Sequence, residues 1–172
     1  TAVLVLNPDV RLDPGCGPAL LAALREPGVG VAVPLLRDAN GERIDSLRRE
    51  PTVLRTWADA VIGADRAGRL GRLGETVTDA ERYRDACDTA WAEGSVQLVD
   101  AECWSRVGAW DETYFLYSEE TDFHLRVGDA GQILRLKAER VDAGKPHAQK
   151  HGIIATAQFR EADIAADRLA VL

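Results

Sequence analysis

Two hydrophobic periods alternate along the chain. Residues 2–6 form a continuous apolar run, the pattern of a buried parallel strand. Asn7-Pro8-Asp9 ends that run, because proline cannot continue a central ladder. Residues 18–26 read as a helix, with Pro18 in its first turn and Pro27-Gly28 as its stop. Residues 29–36 are a second apolar strand, closed by the turn Asp38-Ala39-Asn40-Gly41. Residues 53–67 pattern as helix. Residues 68–95, rich in Gly, Asp and Glu, have weak periodicity and read as a long surface excursion with no identifiable chemistry. A short strand follows at 96–99. Asp100 caps a helix that runs to about Val107, with Gly108 as its left-handed stop. After an aromatic loop at 109–118, Ser118 caps a further helix that ends near Gly131. Residues 133–136 give another strand and 142–152 a loop. Residues 159–172 are expected to form an amphipathic helix, with Phe159, Ala162, Ala165, Ala166 and Leu169 close to one face. Strands alternating with helices make an α/β layer fold, expected as a single domain.

Composition narrows the field. With 172 residues, 46% of them apolar, the chain can bury a real core and is not a disordered tract. A net charge of −7 argues against nucleic acid as a partner, because phosphate backbones demand a surplus of Lys and Arg. The cysteines Cys16, Cys87 and Cys103 are odd in number and contain no C-x-x-C pair. Disulfide scaffolds and structural zinc sites are therefore poor readings, and a reducing, cytoplasmic setting is expected. No apolar run approaches the roughly 20 residues that cross a bilayer.

Three places carry candidate chemistry. Asp9, just past the end of an apolar strand, lies where open α/β sheets bind ligands. Its carboxylate suits Mg2+ or Mn2+ shared with a diphosphate, although Asn7-Pro8-Asp9 is equally the composition of a plain turn. In the second place, Glu119, Glu120 and Asp122 open a helix behind Trp110, Tyr114, Phe115 and Tyr117. Acids in a first turn favour the helix dipole without any function. One of them can also serve as a general base, because burial beside like charges raises a carboxylate pKa. The third is His147 and His151 in a Gly/Pro-bounded loop, where helical zinc spacing does not apply. One of these histidines joining Asp9 on a metal competes with the reading of solvated loop residues. Arg48-Arg49 suits bidentate phosphate contact or plain solvation. Cys103 reads as a buried structural thiol.

Two segments resemble glycosyltransferase family 2, especially its rhamnosyltransferase-like branch. Leu6-Asn7-Pro8-Asp9-Val10 is similar to that family's LNPDV signature. Residues 108–122, with Gly108-Ala109-Trp110-Asp111-Glu112 and Tyr117-Ser118-Glu119-Glu120-Thr121-Asp122, are similar to its GGFDExFFLYxEDxD stretch, and Arg126 matches the arginine that follows. Arg48-Arg49 before Pro51 agrees, and His151-Gly152 looks like the family's later His-Gly element. The resemblance spans roughly residues 2–157.

It implies the C-terminal, acceptor-side portion of a GT-A domain, Rossmann-like, with a mixed sheet flanked by helices. The nucleotide-binding N-terminal half is expected to lie outside this sequence. It implies an inverting transfer of sugar from a nucleoside-diphosphate donor, dTDP- or UDP-linked, to a hydroxyl of a glycan or lipid-linked saccharide. Mg2+ or Mn2+ is the implied cofactor, with Asp9 and His151 as metal ligands. Glu120 is the implied base, with Glu119 beside it, and Asn7, Trp110, Asp111 and Asp122 the implied substrate contacts. The implied place of work is the cytoplasm, with the parent protein able to associate with the inner membrane face. Glu120 stands where the family has Asp; the extra methylene shifts a carboxylate by about 1 Å, a displacement that can cost about a hundredfold in rate. Two rivals remain on sequence grounds. A non-catalytic glycan-binding or assembly module would keep the aromatic loop, and a metal-dependent hydrolase would use the acids alone.

Overall fold

The computed structural model describes residues 1–70, 72–114, 118–137, 153–156 and 169–171. Its frame is β3 (Val29–Arg37), buried over its first eight residues. On one side β3 pairs antiparallel with β7 (Val96–Asp100), and on the other parallel with β8 (Ile133–Lys137). β7 pairs antiparallel with β1 (Ala2–Leu6), which pairs parallel with β10 (Leu169–Val171). β5 (Cys87–Thr89) closes the far edge on β8. β9 (Ile153–Thr156) joins the end of β3 to β2 (Val10–Leu12). The sheet is mixed, as expected, but β1 is antiparallel to its inner neighbour and only alternately buried, so its apolar run does not mark an all-parallel ladder.

Strand pleating sorts the core into two layers, because successive side chains point to opposite faces. Val31, Val33 and Leu35 pack with Val99, Cys103, Phe123, Val127, Leu134 and Leu136. Ala32 and Leu36 face the other way, onto Leu4, Leu98 and α1 (Cys16–Leu24) through Ala19, Leu20 and Ala23. Burying side chains such as Leu20 and Phe123 contributes about 1.5–3 kcal/mol each. The helix α1 starts two residues before the expected position and ends two earlier, with Gly15 as a left-handed N-cap.

The expected 53–67 helix is two helices, α2 (Val53–Ile62) and α3 (Ala64–Arg69). Gly63 separates them at φ 86°, ψ 141°, an extended mirror conformation that glycine tolerates and a helix cannot contain. The segment 68–95 is not a surface excursion. Val77, Tyr83 and Ala92 are buried in the first core layer. The Tyr83 hydroxyl donates to the Val77 carbonyl at 2.8 Å and accepts from the Leu47 amide at 3.0 Å. That anchors β4 (Leu47–Arg48), which pairs with β6 (Trp91–Ala92). Weak periodicity hid these contacts because the segment crosses the core in single residues rather than in a run.

Asp100 caps α4 (Ala101–Val107) as expected, accepting from the Glu102 amide at 2.8 Å and the Cys103 amide at 3.2 Å. Cys103 is buried, and burial pushes its thiol up to about 11, as suits a structural cysteine. Ser118 departs from expectation. It precedes α5 (Glu119–Asp129) in the left-handed conformation, φ 72°, and its side chain makes no capping bond. Residues 169–171, expected to end a helix, form β10 because Leu169-Ala170-Val171 completes the open edge of β1. The rest of that expected helix, and the loop carrying His147 and His151, lie outside the described residues. No described helix is long and apolar enough to cross a membrane.

His124 on α5 is 1% exposed. Its Nδ1 accepts from the Ala92 amide at 3.3 Å, so Nε2 carries the proton and donates to Gln97 Oε1 at 3.0 Å. Burial pushes the imidazole down to about 3. Stability is therefore complete above the unfolded value near 6.5 and falls as pH drops from there toward 3, where the unfolded chain alone binds the proton. Thermal or urea unfolding should lose about 2 kcal/mol between pH 8 and pH 5 through this group. His124→Gln should flatten that slope.

Candidate active site

The strand pairing creates the site. Because β1 and β7 run antiparallel, the C-terminal end of β1 meets the N-terminal end of β7, with Leu6 opposite Val96. The Asn7 amide donates to the Ser95 carbonyl at 3.0 Å, and the Val10 amide to the Asn7 carbonyl at 3.1 Å, which turns the chain at Pro8-Asp9. The N-terminus of α5 faces the same spot, since Phe123, His124 and Val127 fix the helix on the sheet.

A cleft of about 580 Å3 opens there. Asn7, Trp110, Glu119 and Glu120 line it together, joined by Arg48, Trp91, Glu93 and Gly94. Four sequence candidates thus converge. Asp9, Asp111 and Asp122 do not enter this wall. Asp9 sits on the exposed turn beyond Asn7. Asp111 is exposed and accepts from the Thr113 amide at 2.9 Å, a bond that lowers its pKa. Asp122 pairs with Arg126 at 2.7 Å, and Arg126 also donates to the Val107 and Ala109 carbonyls, so this pair ties α5 to the end of α4. His151 lies outside the described residues.

Glu120 is the perturbed group of the cleft. Burial raises its pKa first, and the neighbouring carboxylates of Glu119 and Glu93 add to the rise; hydrogen bonding from backbone amides, including that of Gly94, acts in the opposite sense. Glu93 is itself paired with Arg48, whose guanidinium also donates to the Asp45 and Leu47 carbonyls. Two buried polar atoms of the wall, Trp110 Nε1 and Glu119 Oε2, have no hydrogen-bond partner among the described residues. One is a donor and one an acceptor, so water or a polar ligand in the cleft can satisfy both. Trp110 is held in place by Phe123, with ring centroids 6.4 Å apart.

Sequence reasoning missed Trp91, Glu93 and Gly94. Only the position of 91–95 just before a central strand could have flagged them, and the poor periodicity of the segment hid that position.

Among the described residues no three His, Cys, Asp or Glu side chains gather as ligands for a metal ion. Asp9 offers one carboxylate, which matches only an ion held mainly by water and substrate phosphates.

A mixed sheet flanked by helices, with an acid-bearing helix end at a strand terminus, is consistent with a GT-A type transferase domain. Over 135 residues the chain is 37% identical to N-acetylglucosaminyl-diphospho-decaprenol L-rhamnosyltransferase of Mycobacterium tuberculosis, strain CDC 1551 / Oshkosh, and equally to the protein of that name from strain ATCC 25618 / H37Rv. The match takes in 76% of this chain and 42% of each relative, so the chain spans less than half of their length. No protein-family model matches, and no solved structure does. The match supports a relationship to the rhamnosyltransferase-like glycosyltransferases.

Carboxyl titration followed by NMR checks the electrostatics of the cleft. Glu120 should titrate above an ordinary glutamate, and Glu93→Gln should bring its midpoint down by removing a like charge. An unchanged midpoint in Glu93→Gln would mean that burial and Glu119 set it without Glu93.

Proposed function

We propose that this chain is the acceptor-side part of an inverting transferase that moves a sugar from a nucleoside-diphosphate donor to a hydroxyl of a lipid-linked saccharide or glycan. The observation that carries the reading is the cleft itself. A half-buried carboxylate of raised pKa, Glu120, shares its walls with two tryptophans and two unpartnered polar atoms. Tryptophan faces suit the apolar faces of a sugar ring, and the orphaned Trp110 Nε1 and Glu119 Oε2 suit its hydroxyls.

Glu120 takes the proton of the acceptor hydroxyl as that oxygen attacks the anomeric carbon. The bond from that carbon to the diphosphate breaks in the same displacement, which inverts the centre. A base of raised pKa is a stronger proton acceptor in its ionised form, so turnover falls as pH drops through that value. The relatives' name pairs an L-rhamnosyl donor with an N-acetylglucosaminyl-diphospho-lipid acceptor, and both carry over here as the expected substrate classes. Asn7 and Trp110 hold the acceptor, while Asp111 and Asp122 act one layer out, through the loop and the α5–α4 tie. Mg2+ or Mn2+ arriving with the donor diphosphate would neutralise its charge, with Asp9 as a protein ligand to it. The expected setting is the cytoplasmic side of the membrane, where such donors meet lipid-linked acceptors.

Calorimetric titration of dTDP and of UDP, with and without Mn2+, tests the donor part. Binding should require the metal and vanish in Asp9→Asn. Glu120→Gln should lower turnover about a hundredfold or more while leaving nucleotide binding intact. Turnover unaltered in that variant defeats the base assignment. Nucleotide indifference combined with glycan binding would instead mark a non-catalytic glycan-binding module.

A further inference from the structure

A second cleft, of about 520 Å3, lies beside the first. Five arginines line it: Arg48, Arg49, Arg55, Arg72 and Arg82. Such a concentration is unusual in a chain of net charge −7. The cleft also holds Glu50, Asp79 and Asp88. Asp88 is taken by Arg135 at 2.8 Å, and Asp79 accepts from the Glu81 amide at 3.0 Å. Arg49, Arg55, Arg72 and Arg82 pair with no carboxylate among the described residues. Arg49 is fixed through Nη1 on the Gly74 and Thr76 carbonyls, at 2.9 and 2.7 Å. Burial and then repulsion from Arg55 and Arg72 lower its pKa, the mark of a positive charge without a counter-ion. Clustered guanidinium groups of this kind match phosphate oxygens.

The outer neighbour of this cleft is α2, which supplies Arg55 and buries none of its residues. Val53 is 78% exposed, Leu54 67%, Trp57 67% and Val61 71%. At 100° per residue these four fall within an arc of about 100°, with Arg55 well outside it. An apolar stripe carrying tryptophan, on a helix bordered by arginines, fits the boundary between lipid headgroups and acyl chains.

The inner neighbour is the candidate active site, since Arg48 lines both clefts. Sugar cleft, arginine cleft and apolar helix therefore succeed one another. In a polyprenyl-diphosphate sugar the diphosphate is attached directly to the sugar, and the lipid directly to the diphosphate. We propose that the arginine cleft binds the diphosphate of such an acceptor, while the apolar face of α2 rests in the lipid surface from which its polyprenyl chain emerges. The proposal rests on the acceptor-side reading above and assigns two further elements to it.

Vesicle flotation of this chain tests it. Three compositions are compared: phosphatidylcholine alone, phosphatidylcholine with a few mole per cent of a long-chain polyprenyl diphosphate, and phosphatidylcholine with phosphatidylglycerol at the same charge. The chain should float with the diphosphate vesicles and much less with either of the others. Arg55→Ala combined with Arg72→Ala should weaken that binding about tenfold or more with an unchanged circular dichroism spectrum, because both side chains lie at the surface. Trp57→Glu should weaken vesicle binding similarly yet leave binding of soluble farnesyl diphosphate in place. Equal flotation with phosphatidylglycerol, retention by the arginine variant, or displacement by free dTDP would each overturn the assignment, the last by showing a donor nucleotide site. Glu120→Gln separates the two readings. Loss of turnover in that variant, with no flotation of the wild type, sinks the lipid-diphosphate site alone. Flotation of the wild type with unaltered turnover in Glu120→Gln sinks the base alone.

Discussion

Everything in this chain hangs on β3. A strand buried along eight successive residues must be covered on both faces, and its main chain must be paired on both sides. The small and branched side chains of Val29-Gly30-Val31-Ala32-Val33 allow this. One face takes α1, the other takes α4 and α5, and the edges take β7 and β8. A Cβ at Gly30 would lie 2.7 Å from Cys103 Sγ, so the absence of a side chain there lets α4 pack against the strand. Once β7 is pinned antiparallel to both β3 and β1, the end of β1 and the start of β7 coincide. The candidate active site follows from that register.

The same logic explains which parts could be read from the sequence. Elements whose signal is local were legible: the apolar run of β3, the Asp100 cap, the stop at Gly108, and the end of α5 near Gly131. So was the convergence of Asn7 with Glu119 and Glu120, through two motifs separated by about a hundred residues but joined by the sheet. Elements that depend on single long-range contacts were not legible. Tyr83 is buried because its hydroxyl bridges Val77 and Leu47, and neither partner is implied by spacing. The direction of β1 depends on its neighbour and not on its composition. The short strand at Leu169–Val171 forms where β1 leaves an edge free, which no helical periodicity reveals.

Charge is distributed with the same economy. In this acidic chain four arginines that pair with no carboxylate among the described residues line one cleft and the perturbed Glu120 lines the next, with the Arg48–Glu93 pair standing between them. Without that pair, Glu93 would add a second uncompensated negative charge beside Glu120. With it, Glu120 stays perturbed mainly by burial. The pair also fixes Trp91, whose ring lies 5.7 Å from the Arg48 guanidinium and whose Nε1 donates to the Arg49 carbonyl at 3.0 Å.

The glutamate at position 120 then finds a physical context. A longer side chain needs room and a partner at its base. Gly94 supplies both. A Cβ there would lie 3.4 Å from Glu120 Cβ and 3.6 Å from its Cδ, so the glycine lies within van der Waals reach along the length of this glutamate. Hydrogen bonding from the Gly94 amide meanwhile stabilises the carboxylate. At the other end, Ser118 holds a left-handed conformation that costs of order 1 kcal/mol for a non-glycine residue, with no capping bond in return. Phe123 and His124 hold α5 firmly enough to maintain that conformation, and the outcome is a helix whose first two glutamates both face the cleft. The backbone on both sides of Glu120 is thus arranged closely around this longer acid.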